Sequence, residues 1–183
     1  MANIFRPPAI LNEKRLETNP SIGLFGSIEM GTADNWQTKA EVALAAYTEL
    51  DIYNPRRENW DNTWEQNSDN KNFVAQVDWE LTTLENVTTT LFYFDPKTKS
   101  PVTMLELGSC RFKQNVVVCC PEGFYRRGNV DIFCKRYGIH QEPTLEDALF
   151  DCISRLRTYY GLKCEPFKYS VTAKVAEPLI EEL

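Results

Sequence analysis

Residues 89–120 have the sequence TTLFYFDPKTKSPVTMLELGSCRFKQNVVVCC, which carries the clearest indication of the fold class. Its two apolar runs, residues 91–94 and 116–120, are short and aromatic or β-branched, and each is followed by a proline, which predicts buried strands. Pro101 suits the first position of a helix, because the N–H that proline lacks would have no helical partner there. Two apolar strands joined by a helix form a βαβ unit, which predicts a parallel sheet.

One acidic residue, Glu106, lies inside this apolar helix between Leu105 and Leu107. A carboxylate in apolar surroundings is costly, so its presence there suggests a function. Helical periodicity leaves a second interpretation equally open, in which Glu106 is a structural carboxylate that balances the dipole near the helix N-terminus.

Composition limits the possible classes of protein. A chain of 183 residues is expected to form one domain with a single core, and its net charge of −6 disfavours binding to nucleic acid polymers. We find no apolar run long enough to cross a membrane and no signal-peptide core in the first twenty residues, so we expect a cytoplasmic protein.

The cysteines and the histidine argue against metal or disulfide chemistry. Six cysteines without regular spacing are typical of reduced thiols, and the single histidine, His140, disfavours a zinc site or a histidine-based triad. We therefore expect no metal site.

The chain is predicted to have three segments: an extended N-terminal arm over residues 1–20, one domain over residues 21–162 and a C-terminal tail over residues 163–183. Further strands are predicted at residues 21–25 and 51–53, with a possible fifth near residues 137–139, whereas residues 123–128 are predicted to form a turn. Helices are predicted from Thr32 or Asp34, over residues 73–85, and from Pro143.

The helix over residues 73–85 carries a second acid on its apolar face. At 100° per residue, Glu80 falls in the middle of the stripe formed by Phe73, Val77 and Leu84, and Gln76 lies one turn before it. This spacing predicts an inward carboxylate, either functional or paired with an arginine in the core.

The alternation of strands and helices predicts a mostly parallel sheet of about five strands, in which ligands bind beyond the carboxyl ends of the strands. The polar residues that follow the predicted strands are Gly26, Ser27, Asn54, Arg56, Asp95 and Ser100. Two inward acids near this edge, Glu106 and Glu80, would suit a nucleophile and a residue that handles protons.

Four motifs together resemble the nucleoside 2-deoxyribosyltransferase-like family over roughly residues 21–160. They are Gly-Ser-Ile-Glu-Met-Gly at 26–31, Asn-Pro-Arg-Arg at 54–57, Gln-x-x-Trp-Glu at 76–80 and Ser-Pro-x-x-x-Leu-Glu-Leu-Gly at 100–108. The resemblance implies a flavodoxin-like three-layer sandwich that cleaves the N-glycosidic bond of (deoxy)nucleosides and passes the sugar to another base or to water.

The resemblance also assigns roles to individual residues. Glu106, in the Glu-Leu-Gly motif, matches the family's nucleophile, and Glu80 matches the assisting acid on the preceding helix. The expected substrate contacts are Gly26, Ser27, Asn54, Arg56, Gln76, Asp95 and Ser100. The implied reaction needs no metal and no organic cofactor. The implied partners are a nucleoside or nucleotide, a free base and further copies of the chain in a homo-oligomer.

Two departures from the family pattern keep alternative activities open. Thr88 stands where the family usually has Asp, and the loop after the first predicted strand reads Gly-Ser-Ile without the Tyr of many deoxyribosyltransferases. This loop is closer to the corresponding loop of the related 5′-monophosphate N-hydrolases. If the protein is such a hydrolase, Ser27, Ser100 and Arg56 are candidates for holding the phosphate. A non-catalytic nucleotide-binding module is a third possibility. Trp60 and Trp64 suit either base stacking or local packing.

Overall fold

The computed structural model describes residues 1–29, 33–57, 61 and 63–162. The strands in these ranges are β1 (Asn3–Phe5), β2 (Ser21–Gly26), β3 (Asp51–Tyr53), β4 (Thr89–Tyr93), β5 (Val116–Cys119) and β6 (His140–Glu142). The helices are α1 (Glu13–Thr18), α2 (Trp36–Leu44), α3 (Lys71–Asn86), α4 (Pro101–Ser109), α5 (Arg127–Tyr137) and α6 (Leu145–Tyr160).

The strands form one six-stranded sheet in the order β1-β3-β2-β4-β5-β6, and every neighbouring pair is parallel. Without the edge strand β1, this is the flavodoxin-like order, in which the direction of winding reverses beside the first strand of the domain. The predicted α/β class, the flavodoxin-like sandwich and the parallel sheet are confirmed, with six strands rather than about five.

Helices cover both faces of the sheet, because a parallel sheet must bury both. On one face, Ile22, Leu24 and Leu91 pack with residues of α2 and α6, such as Trp36 and Leu149. On the other face, alternate strand residues pack against α4 and α5; this cluster includes Phe25, Phe92, Val118, Leu107 and Val130. The period of two along each strand explains this division.

Residues 1–20 differ from the predicted extended arm. Strand β1 pairs in parallel with β3, and the short helix α1 follows it. Arg15 on α1 forms an ion pair with the buried Asp51, with Nε 2.6 Å from Oδ2. A strand of three residues carries too little pattern to be recognised, because its pairing depends on the free edge that β3 presents.

Helix α5 and strand β6 also differ from their predictions. The predicted turn at residues 123–128 is confirmed as far as residue 126, but the sequence did not predict α5, which occupies Arg127–Tyr137. The strand predicted near residues 137–139 is β6, which occupies His140–Glu142. Only Val130 and Cys134 are buried along α5, so its apolar stripe is weak.

Several predictions fall outside the described residues, including the cap at Thr32, the aromatic contact of Trp60 and the tail over residues 163–183. Within the described residues, α2 begins after Asn35, whose side chain accepts a hydrogen bond from the N–H of Thr38. The helices in these ranges are too short or too polar to cross a bilayer.

Candidate active site

Glu106 lies in the second turn of α4, on the side of the helix that faces the core. Its side chain is only 9% exposed, near the buried residues Thr103 and Leu107. Burial raises the pKa of Glu106 to about 8, and the negative charge of Glu80 adds to this effect. The first turn of α4 holds no acidic residue. Glu106 is therefore too far along the helix to act chiefly as a partner of the helix dipole, whose effect falls off within the first turn.

Glu80 lies on α3 and is the second acid of the site. Burial raises its pKa to about 7, and a hydrogen bond from Gln76 partly opposes that rise. The Nε2 atom of Gln76 donates to Oε1 of Glu80 at 2.7 Å. Within the described ranges we find no ion pair between Glu80 and an arginine, so the core-pairing interpretation has no support there.

The two carboxyl groups act on each other electrostatically, since the charge of Glu80 raises the pKa of Glu106. The helices that carry them, α3 and α4, precede and follow β4 in the chain. Two like charges in a poorly solvated site resist ionising together, so such a pair retains one proton over a range of pH. Glu80 and Glu106 thus lie near enough to affect each other electrostatically, which makes them candidates for one site.

Three buried hydroxyl groups lie where β2 and β4 end. Ser27 Oγ is 2.5 Å from Ser100 Oγ and accepts a hydrogen bond from Thr98 Oγ1 at 2.9 Å. Thr98 Oγ1 also lies 2.7 Å from Ser100 Oγ. This cluster, Ser27–Thr98–Ser100, forms a compact patch of hydroxyl groups directly before α4. Ser27 and Ser100 were predicted from the sequence to belong to the site, whereas Thr98 was not.

Glu29 places a carboxylate beside these hydroxyl groups. Its Oε1 atom accepts hydrogen bonds from the backbone N–H groups of Lys99 and Ser100, the second at 2.6 Å. Ser100 immediately precedes α4 and has a left-handed backbone with φ of 47°. Backbone N–H groups at the start of a helix attract anions, so Glu29 fills an anion-binding position. Glu29 was not among the predicted site residues, although it lies inside the motif at 26–31.

Gly26 allows the chain to pass close to β4. Its φ is +146°, and a Cβ atom at this position would lie 2.3 Å from the backbone oxygen of Tyr93. Only glycine accepts both the conformation and the contact. Gly26 therefore shapes the turn that delivers Ser27 to the hydroxyl cluster.

Asp95 organises the loops after β2 and β4. Its Oδ2 atom accepts the N–H of Asp34 at 3.0 Å, and its Oδ1 atom accepts the N–H of Lys97 at 2.9 Å. The N–H of Asp95 donates to Ser27 Oγ at 2.8 Å. Both carboxylate oxygens bind backbone groups, so Asp95 fixes the edge of the site in this structure.

Arg56 also binds protein groups. It donates to the carbonyl oxygens of Ala33 and Asp34 at 2.9 and 3.1 Å, and to Gln37 Oε1 at 3.2 Å. Asn54 precedes it and donates to Glu41 Oε1 at 2.7 Å. The structure thus places these two residues in a hydrogen-bonded support for the segment before α2.

One group of potential metal ligands occurs in the described ranges, formed by His140, Glu142 and Asp151, whose ligand atoms lie within 4.8 Å of one another. His140 Nε2 is 2.8 Å from Glu142 Oε1, and Arg155 Nε is 2.8 Å from Asp151 Oδ2. Arg155 already provides a positive charge beside Asp151, and His140 is hydrogen-bonded to Glu142, so these four side chains are partners of one another. They lie on β6 and α6, away from the pair of glutamates on α3 and α4.

The fold and the site define a class of protein: a flavodoxin-like α/β sandwich in which a half-buried and a buried glutamate lie on the helices that precede and follow β4. The sequence of residues 19–124 matches the family described as nucleoside 2-deoxyribosyltransferase like. This match spans more than half of the 183 residues, and the chain belongs to that family.

Comparison with solved structures shows the same fold. The chain resembles a protein titled "Crystal structure of conserved protein from Enterococcus faecalis V583", with a TM-score of 0.55 and 15% sequence identity. The similarity covers 75% of this chain and 99% of the other. A search of curated proteins gave no significant match.

Proposed function

We propose that this protein cleaves the N-glycosidic bond of a (deoxy)nucleoside and transfers the sugar to another base or to water. The observation that carries the proposal is the pair formed by the half-buried Glu80 and the buried Glu106, whose pKa values are raised to about 7 and about 8. Glycosidic cleavage by double displacement needs one carboxylate as nucleophile and one acid as proton donor. At neutral pH such a pair contains one carboxylate and one protonated carboxyl group.

In the first step, the carboxylate of Glu106 attacks the anomeric carbon and forms a glycosyl ester. The bond from that carbon to the base nitrogen breaks, and its electron pair leaves with the base. Glu80 gives its proton to the departing base, which prevents the release of a basic anion. In the second step, a nitrogen of another base or a water oxygen attacks the same carbon. The ester bond then breaks, Glu80 takes up the proton of the attacking group, and the configuration of the sugar is retained.

The pair must carry its one proton on Glu80 for this reaction to begin. Glu106 has the higher pKa of the two in the free protein, so the proton resides mainly on Glu106 there. Binding of the substrate must therefore shift this proton from Glu106 to Glu80. Positive charge that develops on the sugar at the transition state stabilises a carboxylate at Glu106. The same charge therefore favours the arrangement in which Glu80 keeps the proton until the base leaves.

The test is an assay of the purified protein with a panel of deoxynucleosides and ribonucleosides, with and without a free acceptor base. Free base released without an acceptor indicates hydrolysis, and a new nucleoside formed with an acceptor indicates transfer. We expect Glu106→Gln to lose at least about a thousandfold in kcat, in line with the loss of a covalent nucleophile. Glu85→Gln is the matched control, because Glu85 lies on the exposed side of α3. If Glu106→Gln turns over at the wild-type rate, Glu106 is not the nucleophile.

A second candidate function is cleavage of nucleoside 5′-monophosphates. It is favoured by the hydroxyl cluster Ser27–Thr98–Ser100 and by the two backbone N–H groups that bind the carboxylate of Glu29. A phosphate needs this kind of donor set and would replace the Glu29 carboxylate there. We expect Ser27→Ala to raise KM for a 5′-monophosphate while leaving KM for the matching nucleoside nearly unchanged, if this candidate is correct. Equal effects on both substrates would favour the nucleoside.

If the wild-type protein binds nucleosides or nucleotides in equilibrium dialysis but cleaves none of them, the chain is a nucleotide-binding module.

We further propose that copies of the chain associate. Val102 and Leu105 on α4 are 59% and 76% exposed, so α4 presents apolar side chains to solvent next to Glu106. Light scattering of the wild type and of Leu105→Asp measures this association, and a monomeric wild type would contradict it.

A further inference from the structure

Gln76 lies between Glu80 and the loop that follows β3. Its side chain is 4% exposed, and its Nε2 atom makes two hydrogen bonds. One is donated to the carbonyl oxygen of Pro55 at 3.1 Å and the other to Oε1 of Glu80 at 2.7 Å. An amide nitrogen has two protons, so both are used by these two acceptors.

The orientation of this amide is fixed by its neighbours. The carbonyl of Pro55 is an acceptor only, so it must face the nitrogen of the amide rather than its oxygen. The amide oxygen then faces the other way, where Arg57 Nη1 lies 3.5 Å from it. A rotated amide would set its oxygen against the oxygens of Pro55 and Glu80. Gln76 therefore always offers an N–H to Oε1 of Glu80.

This contact distinguishes the two oxygens of Glu80. Oε1 accepts a hydrogen bond from Gln76 and is a poor place for a proton, because the N–H already points at it. Within the described part of the chain, we find no hydrogen bond to Oε2. A proton on the carboxyl group therefore belongs on Oε2.

We propose that Gln76 is a positioning residue, which by binding Oε1 of Glu80 makes Oε2 the oxygen that gives its proton to the leaving base. This inference rests on the proposed function and assigns Gln76 a role different from the substrate contact predicted from the sequence. Gln76 holds the carboxyl group of Glu80 in one rotation and keeps its proton on one side. It acts through Glu80 and does not itself touch the reacting atoms.

The first test measures Glu80 directly and needs no enzymatic activity. The carboxyl carbon of Glu80 is titrated by ¹³C NMR in the wild type and in Gln76→Met, with the signal assigned by its loss in Glu80→Gln. Methionine matches the length of glutamine but donates no hydrogen bond. We expect the midpoint of Glu80 to rise by about one pH unit in Gln76→Met, because a hydrogen bond that favours the carboxylate is lost.

The charged groups that the structure places against this contact are Glu106 on α4 and Arg57 after β3, and the substitution keeps both. The matched control is Gln37→Met, since Gln37 is a buried glutamine on α2 whose described hydrogen bond comes from Arg56. We expect the midpoint of Glu80 to be unchanged in this control. Circular dichroism of each variant establishes that it folds.

The second test uses activity on the substrate that the panel identifies. We expect Gln76→Met to lower kcat about tenfold or more with little change in KM, because Glu80 is bound less firmly in its productive rotation. We also expect the alkaline side of the pH profile to move to higher pH, since losing the N–H makes the Glu80 carboxylate less stable. A residue with only a structural role would lower activity without moving the profile.

The outcomes separate this inference from the proposed function. An unchanged or lower midpoint of Glu80 in Gln76→Met overturns the role of Gln76, even if the wild type is a fully active glycosidase. A wild type that cleaves no substrate overturns the proposed function, whereas the NMR titration still decides whether Gln76 controls Glu80. A higher midpoint together with a shifted pH profile supports both.

Discussion

The charge of Glu80 on α3 raises the pKa of Glu106 on α4, although β4 and a loop separate the two residues along the chain. Both carboxyl groups are also poorly solvated, and burial is the larger cause of each raised pKa. The folded protein therefore keeps protons on these glutamates at a pH where an unfolded chain would have lost them. This relationship has consequences for both stability and catalysis.

The first prediction concerns stability. The pKa of Glu106 is about 8 in the folded protein against 4.5 as the ordinary value, so the folded state binds more protons between these limits. The contribution of Glu106 to stability is fully present below about pH 4.5 and is lost as pH rises towards about 8. Gln has no charge to bury. We expect Glu106→Gln to exceed the wild type in free energy of unfolding by about 2–4 kcal/mol at pH 8, and to match it near pH 4.

Urea denaturation at the two pH values measures this difference. The matched control is Glu85→Gln, which removes an exposed glutamate from α3 and should change the free energy of unfolding by less than about 0.5 kcal/mol at either pH. A Glu106→Gln variant that is less stable than the wild type at pH 8 would mean that the Glu106 carboxylate is well solvated or paired.

The second prediction concerns the pH dependence of turnover. The active form has one proton on the pair, so kcat/KM should follow a bell-shaped profile whose two sides reflect pKa values of about 7 and about 8. In Glu80→Gln the fall on the alkaline side should disappear, because no proton remains to be lost from that position, and the rate should be lower throughout. A profile that is flat from pH 5 to 9 in the wild type would exclude this pair as the titrating group.

The third prediction concerns the turn after β2. An alanine Cβ at position 26 would lie 2.3 Å from the backbone oxygen of Tyr93, in a backbone conformation with φ of +146°. We expect Gly26→Ala to lower the free energy of unfolding by at least ~2 kcal/mol, from both strain and overpacking. The matched control is Gly128→Ala on α5, where a Cβ would meet nothing within 4 Å. That variant should be neutral or up to about 1 kcal/mol more stable, because alanine favours helix.

The fourth prediction concerns the buried carboxylate at the start of β3. Asp51 has a fully buried side chain and receives Nε and Nη2 of Arg15 at 2.6 Å each. Arg15→Met leaves Asp51 with two asparagine donors, Asn3 and Asn19, and no positive partner. We expect Arg15→Met to lower the free energy of unfolding by about 2 kcal/mol. The loss is no larger because Arg15 is itself partly exposed and its contribution is screened by solvent.

Thermal unfolding of Arg15→Met beside Lys14→Met checks this expectation, because Lys14 is an exposed cation on the same helix. The lysine variant should differ little from the wild type. Equal melting temperatures for the two variants would show that the bonds from the asparagines are sufficient for Asp51.

The central strands and the helices beside them could be predicted because their sequences carry strong patterns. Strands β2, β4 and β5 are buried at nearly every position, so their sequences are short apolar runs. Helix α3 has apolar residues at helical spacing along one face. In contrast, β1 has three residues and exposed side chains, and α5 buries two residues out of eleven. Where few side chains are buried, pairing with a neighbouring element determines the structure and leaves little trace in local sequence.

The candidate site shows the same division. The inward positions of Glu80 and Glu106 could be predicted because an acid on an apolar helix face conflicts with its neighbours. Thr98 could not be predicted, because a threonine in a loop is unremarkable until the chain folds, and the sequence signals Glu29 only through its place in the motif at 26–31. The hydrogen bonds of Glu29 to the N–H groups of Lys99 and Ser100 join segments that are distant in sequence.

The sequence alone determined the class of fold, the parallel direction of the strands and the identity of the two inward acids, since hydrophobic periodicity and short motifs are local properties. The tertiary structure decided how those acids affect each other, which oxygen of Glu80 Gln76 binds, and which loop groups meet before α4. Distances and desolvation govern these properties, and both depend on parts of the chain that only folding brings together.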